Sequence, residues 1–207
     1  MGLRAEEWLL PAQRLIGRVR YRHGPYAALF EPYHGDEVIA LDCETTGLDS
    51  RAAELVSVAA IRVSGQRLLT SQALQINLQP PASLAADSIR IHRLRPIDLQ
   101  EGAETREALE QLLAFIGNRP LLGWFIGFDI AIINRYLRPL CGFSLPNRRI
   151  EISRLYQRSL NRRQPDVTPD LSFDSIAQAL DIPVLSRHTA LGDATTAALI
   201  YQRLMRL

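Results

Sequence analysis

The order of apolar segments predicts an α/β fold, a mixed β-sheet made of a three-strand antiparallel meander plus parallel strands and flanked by α-helices. Two observations carry this. Three strand-like runs, Val38–Asp42, Leu55–Val63 and Leu68–Leu78, follow one another with only Gly-containing breaks between them, at Gly47 and Gly65. Spacing that short suits antiparallel neighbours, because parallel strands need a longer crossover. After Pro80 the pattern changes to helices alternating with a short apolar strand, the signature of helices packed on a sheet.

The elements follow in order. Met1 to Asp36 carries Pro11, Pro25 and Pro32 and ends in "EPYHGDE", a turn-like junction. It reads as an N-terminal extension, one helix followed by irregular chain, and the domain proper as 37–207. Beyond the meander, Thr105 is the expected N-cap of a helix whose Ala108, Leu109, Leu112, Leu113 and Ile116 share one face. A strand over Leu121–Phe125 comes next. A second helix is expected from near Asp129, with Ile130, Ile133, Leu137 and Leu140 on its stripe, and a third over Ile152–Arg163. Ser172 caps a fourth, and the last runs from about Ala190 to Arg206.

Composition sets bounds. The 207 residues, 47% hydrophobic and 22% charged, are those of an ordinary globular domain. No apolar run approaches the roughly 20 residues of a membrane span. The first residues carry Glu6 and Glu7 and lack an apolar signal core, so a cytoplasmic location is expected and no membrane partner. Two cysteines, Cys43 and Cys141, make neither a disulfide framework nor a zinc site. All 24 basic residues are Arg, a bias that reads as GC-rich coding. Ala131 to Arg163 holds eight Arg against the single acid Glu151. That stretch suits a polyanion, or equally a solvated face balanced by acids elsewhere.

The chemistry starts at "VIALDCETTGLDS". Residues i and i+2 of a strand share a face, so Asp42 and Glu44 project together and Cys43 points the other way. Two carboxylates at the end of an apolar strand need a counter-charge, since burying them unpaired is costly. Hard oxygen ligands favour magnesium or manganese over zinc, although most such pairs are simply surface acids. Asp129, in "GFDIAIINRYL", stands where a strand hands over to a helix, and in "HTALGDA" Asp193 stands five residues after His188. Each acid would also complement a helix N-terminus, and His188 also reads as a loop histidine.

Taken in order, "LDCETTGLD", "GFD" and "HTALGDA" resemble the DEDDh (DnaQ-like) 3′–5′ exonuclease family, which includes the proofreading epsilon subunit of bacterial DNA polymerase III. The "SIRIHRLRP" segment around His92 also sits where that family often has an Ile/Val-His pair. The resemblance spans roughly Glu37 to Leu207. It implies a ribonuclease H-like fold and two divalent cations, Mg2+ or Mn2+. Asp42 would bridge both ions, Glu44 and Asp193 would complete the tighter site, and Asp129 would hold the second. His188 would be the general base. The substrate implied is the 3′ end of single-stranded DNA, with RNA ends as the alternative and a catalytically silent nucleic-acid adaptor as the remaining reading. The product implied is a nucleoside 5′-monophosphate.

Thr45, Thr46, Gly47 and Leu48 match family positions that grip the terminal nucleotide. Gly47 is otherwise expected to supply a turn with positive φ, and Leu48 to be core. Phe128 is expected as a substrate wedge, a core residue, or both. One departure stands out: Trp124 and Phe125 occupy positions where the family commonly has His and Asn. The core reading of these two aromatics is favoured over stacking on bases. "QLLAF", Gln111 to Phe115, superficially resembles a sliding-clamp peptide but falls inside a helix with its apolar residues inward. The extension, with Trp8, Leu9, Leu10, Leu15 and Ile16, is expected to pack on the domain. A polymerase, a homodimer mate or another protein are its alternative partners.

Overall fold

The computed structural model describes residues 3–207, with side chains from residue 12 onward. β1 (Glu37–Thr45) is the centre of a sheet in the order β3-β2-β1-β5-β6. It pairs antiparallel with β2 (Leu55–Ser64) over nearly its whole length, Glu37 opposite Ser64 and Asp42 opposite Ala59. On its other side lies β5 (Leu121–Gly123), parallel, followed by β6 (Arg149–Glu151), also parallel. β3 (Arg67–Leu68) and β4 (Leu74–Asn77) pair with successive stretches of β2. The expected antiparallel meander with parallel strands beside it is therefore the observed sheet.

Alternation along β1 divides the molecule into two layers. Ile39, Leu41 and Cys43 enter one core with α4 (Thr105–Ile116) and α5 (Ile126–Cys141). Val38 and Ala40 enter the other, with α6 (Ile152–Arg163), α7 (Phe173–Ala179) and α8 (Ala190–Leu204). Asp42 and Glu44 continue the second set, so the period-2 rule aims both acids toward the layer that contains α8.

Several expected boundaries move, each for a local reason. The strand expected over Leu68–Leu78 is broken by a 3-10 turn at Thr70–Gln72, leaving β3 and β4. The strand expected to reach Phe125 ends at Gly123, because Phe125 takes a left-handed conformation (φ 57, ψ 30). α5 consequently starts at Ile126 and holds Asp129 in its first turn. Glu104, not Thr105, is the N-cap residue of α4. The final helix closes at Leu204 rather than Arg206. Two further elements were not expected: β6, three residues of which two are charged, and α3 (Ala86–His92). Gly47 does not have positive φ, and a Cβ there would meet nothing within 4 Å.

The extension forms α1 (Leu3–Tyr21) and a second, short helix, α2 (Ala27–Phe30), where irregular chain was expected. Leu29 and Phe30 are buried in the same core as α4 and α5. Phe30 stacks on Tyr21 at 5.1 Å and meets Phe143 edge-on at 5.3 Å. Arg14 reaches across to the Pro146 carbonyl at 2.8 Å. Leu15 and Ile16 do not take part in this packing; each is 64% exposed. Trp8, Leu9 and Leu10 lie outside the residues whose side chains are described. Among the described residues no helix is long and apolar enough to cross a membrane.

Candidate active site

The end of β1, the first turn of α5 and the first turn of α8 converge on one point. Carboxylate oxygens of Asp42, Glu44 and Asp193 all lie within 4.8 Å of one another. Glu44 and Asp193 are buried, and Asp42 is half-buried. Asp129 comes from the opposite layer and turns its Oδ1 to the Cys43 backbone N–H, which donates to it at 3.1 Å. It thus sits beside the triad without joining that tight set.

Such crowding has an electrostatic cost. Burial pushes the Asp42 carboxyl well above the usual range, and the neighbouring Asp129, Glu44 and Asp193 charges push it further. Burial and Asp193 raise Glu44 to about 7. Burial likewise raises Asp129 and Asp193. Arg187 provides the partial remedy: its guanidinium donates to Asp193 Oδ2 and to Asp174 at 3.2 Å, while lying 4.8 Å over the Phe173 ring. One guanidinium does not satisfy three carboxylates, and Asp193 Oδ1 remains buried with no hydrogen-bond partner. An all-oxygen donor set, charge repulsion that a cation relieves without protonating the acids, and an orphaned carboxylate oxygen fit a divalent ion.

The loop before α8 is shaped for this task. Ser186 and His188 both have positive φ, 43 and 62, on either side of Arg187. Non-glycine residues rarely hold that conformation without surrounding restraint. Here the His188 backbone N–H donates to Asp193 Oδ2 at 3.2 Å, and Thr189 Oγ1 accepts from Gly192 N at 3.1 Å as the N-cap of α8. The His188 side chain is exposed at the rim. Gly192 permits the close approach: a Cβ there would stand 2.3 Å and 2.4 Å from the Leu185 and Ser186 carbonyl oxygens. Gly192→Ala is therefore expected to displace the start of α8, costing about 3 kcal/mol. Thermal melting of the metal-free variant would read this as a fall of several degrees.

The remaining expected residues fall around the rim. Thr45 Oγ1 donates to the Gly47 carbonyl at 2.8 Å. The Thr46 hydroxyl accepts from Glu54 N at 2.9 Å and bonds to Ser83 Oγ at 2.8 Å, so its donors and acceptors hold the loop together. Leu48 is 92% exposed, which removes the core reading for it. Phe128 packs partly against the core and stacks on Phe125 at 6.3 Å. The two replacing aromatics part company. Trp124 joins the second core and donates its indole N–H to the Leu171 carbonyl at 3.0 Å, whereas Phe125 is 60% exposed and corrects the core reading. His92 closes α3, buried, with Nδ1 accepting from Leu94 N at 3.0 Å. Leu112 and Leu113 of "QLLAF" are buried in α4, as expected.

Sequence reasoning missed two contributors. Arg187 carried a signal in its position, one residue before His188. Glu151 had none, being a lone acid in a basic stretch. Its carboxylate accepts from the Phe125 and Ile126 backbone N–H groups at 3.0 and 3.1 Å, and so holds the strained entry to α5 that carries Asp129.

Comparison with known proteins decides the family. A family model described as an exonuclease, of the RNase T type, matches residues 39–201. The chain belongs to this exonuclease family, the DnaQ-like group. Among curated relatives it is 22% identical over 169 residues to the PolC-type DNA polymerase III of Thermotoga maritima, covering 82% of this chain but only 12% of that protein. To the DNA polymerase III epsilon subunit of Aquifex aeolicus it is 25% identical over 170 residues, covering 81% of this chain and 79% of that subunit. E. coli exonuclease I in complex with a 5cy-dT13 oligonucleotide superposes with a TM-score of 0.67 at 13% identity, covering 84% of this chain and 41% of that one. That likeness confirms the ribonuclease H-like exonuclease fold.

Proposed function

We propose that the chain is a metal-dependent 3′–5′ exonuclease acting on single-stranded DNA and releasing nucleoside 5′-monophosphates. The single observation that carries this is the Asp42, Glu44, Asp193 cluster, three mutually repelling carboxylates aimed at one point beside Asp129. Asp42, Glu44 and Asp193 would hold one divalent cation, and Asp42 with Asp129 a second. Magnesium or manganese bound there supplies polarisation of the phosphodiester and stabilisation of charge on the departing 3′ oxygen. His188, on its left-handed turn at the rim, takes the proton from the attacking water. Its backbone bond to Asp193 ties the base to the same helix that carries the metal ligand. Leu48 and Phe128 contact the terminal base, while the Thr45–Gly47 segment of the loop presents backbone to the sugar. The relatives named as polymerase III epsilon and PolC-type polymerase support work beside a polymerase.

End-labelled single-stranded DNA and RNA of equal sequence, each incubated with Mn2+, test this reading. Stepwise shortening of the DNA from its 3′ end at a rate at least about tenfold that of RNA is expected. Faster loss of the RNA overturns the substrate assignment, and shortening of neither overturns the activity.

A further inference from the structure

Two clefts run along α5, and apart from the Leu48 and Phe128 grip on the terminal base the chemistry above leaves them unused. The first, about 460 Å³, lies at the start of α5, whose first turn carries Asp129, and is lined by Leu48, Phe125, Phe128 and the Ser50 loop. The second, about 440 Å³, continues from it, sharing Ser50, Gly127, Ala131 and Arg149. Its floor is one face of α5, since Gly127, Ala131, Arg135 and Arg138 follow helical spacing. At 1.5 Å per residue, the run from Gly127 to Arg138 makes a groove roughly 16 Å long.

Chemistry changes along its length. Near the catalytic end, Phe125 and Phe128 stack within 21° of parallel, and Phe125 and Leu48 are largely exposed. Two acids border this part, and both are occupied. Glu151 accepts from the Phe125 and Ile126 backbone, and Asp49 Oδ1 accepts from Arg51 N at 3.0 Å. Farther along, Arg51, Arg135, Arg138 and Arg149 line the second cleft, with no acidic residue among the described residues of its lining. Arg135 is anchored by the Ser50 and Ala53 carbonyls, and Arg138 donates to Ser144 Oγ at 2.9 Å.

An exposed aromatic, Phe125, followed by a file of guanidinium groups matches unpaired bases on a continuing phosphate backbone. Resting on the exonuclease reading, we propose that this groove is the track for the strand upstream of the scissile nucleotide. Upstream of the nucleotide held by Leu48 and Phe128, bases lie on Phe125, and phosphates lie across Arg51 and Arg138. The Phe125 aromatic stands where the family commonly has Asn, so this chain trades a polar contact for a stacking platform.

The test compares fluorescein-labelled dT20 and dT3, in binding to the metal-free protein by anisotropy and in turnover with Mn2+. In Arg51→Ala/Arg138→Ala, dT20 binding is expected to weaken about tenfold. The slope of log affinity against log salt should shrink by about 1.4, the share of two phosphate contacts on a single strand. The preference in kcat/KM for dT20 over dT3 should fall by the same roughly tenfold factor. Phe125→Ala should weaken dT20 binding at least about fivefold without moving the salt slope. Melting curves check that both variants fold. An unchanged salt slope, or equal losses on dT3 and dT20, overturns the track. If the protein binds dT20 through these arginines but cuts neither oligonucleotide, the track stands and the exonuclease reading fails. Cutting of dT20 that does not depend on these arginines overturns the track and leaves the exonuclease reading in place.

Discussion

Asp42→Asn is expected to make the metal-free protein more stable while lowering its nuclease activity by at least about a thousandfold. Asp42 is at the centre of the repulsion, pushed upward by burial and by Asp129, Glu44 and Asp193 together. A neutral amide of the same shape removes that charge and leaves β1 in register. Glu44 indicates the scale of the problem. Its carboxyl is raised from 4.5 to about 7, so between those values the folded protein retains a proton that the unfolded chain has released. The share of metal-free stability that Glu44 contributes is therefore full below about pH 4.5 and is lost as pH rises to about 7. Glu44 alone contributes roughly 3 kcal/mol to that loss. At pH 8 with chelator, Asp42→Asn should melt at least about 3 °C above the wild type, the shift that about 1 kcal/mol makes in a chain of this size. Adding Mn2+ should raise the wild-type melting temperature strongly and the variant's little. A variant that melts lower than wild type in chelator would mean that the triad is not held in electrostatic strain.

How far the sequence reveals this site depends on the periodicity that carries each part. Alternation along β1 is a two-residue rule, and it put Asp42 and Glu44 on one face and Cys43 on the other; the structure shows that the acids face the α8 layer and Cys43 the opposite core. Helical stripes in α4 and α5 were equally legible, because their apolar faces cover one side of the sheet, whereas Met205, expected to face the core from the last helix, lies past its end and is 56% exposed. What escaped were features set by tertiary contact. Phe125 sits in a left-handed turn that no propensity favours, held by Glu151 from a strand too short to recognise. Arg187 becomes a counter-ion only because two flanking residues adopt positive φ and fold it back over Phe173. Leu48 read as either core or grip, and only the open space around the Gly47–Leu48 turn separates the two.

His188→Ala should lose about a thousandfold in rate, within the range that a positioned acid–base group supplies, while keeping the metal site whole. That combination separates it from Asp42→Asn. The His188 link to the carboxylates runs through its backbone N–H, which donates to Asp193 Oδ2 and survives removal of the imidazole. Asp42, Glu44 and Asp193 should therefore still converge, and the Mn2+-dependent rise in melting temperature should stay within about 2 °C of the wild-type rise. The left-handed φ of 62 at this position is strained for alanine as it is for histidine, so backbone strain changes little. Measured together, rate and metal-induced stabilisation distinguish the two roles. If His188→Ala loses both, the residue shapes the metal site. If it retains both, the proton goes elsewhere and the assignment of His188 as base is wrong. Loss of rate alone is the outcome that a general base at the rim of an intact carboxylate cluster requires.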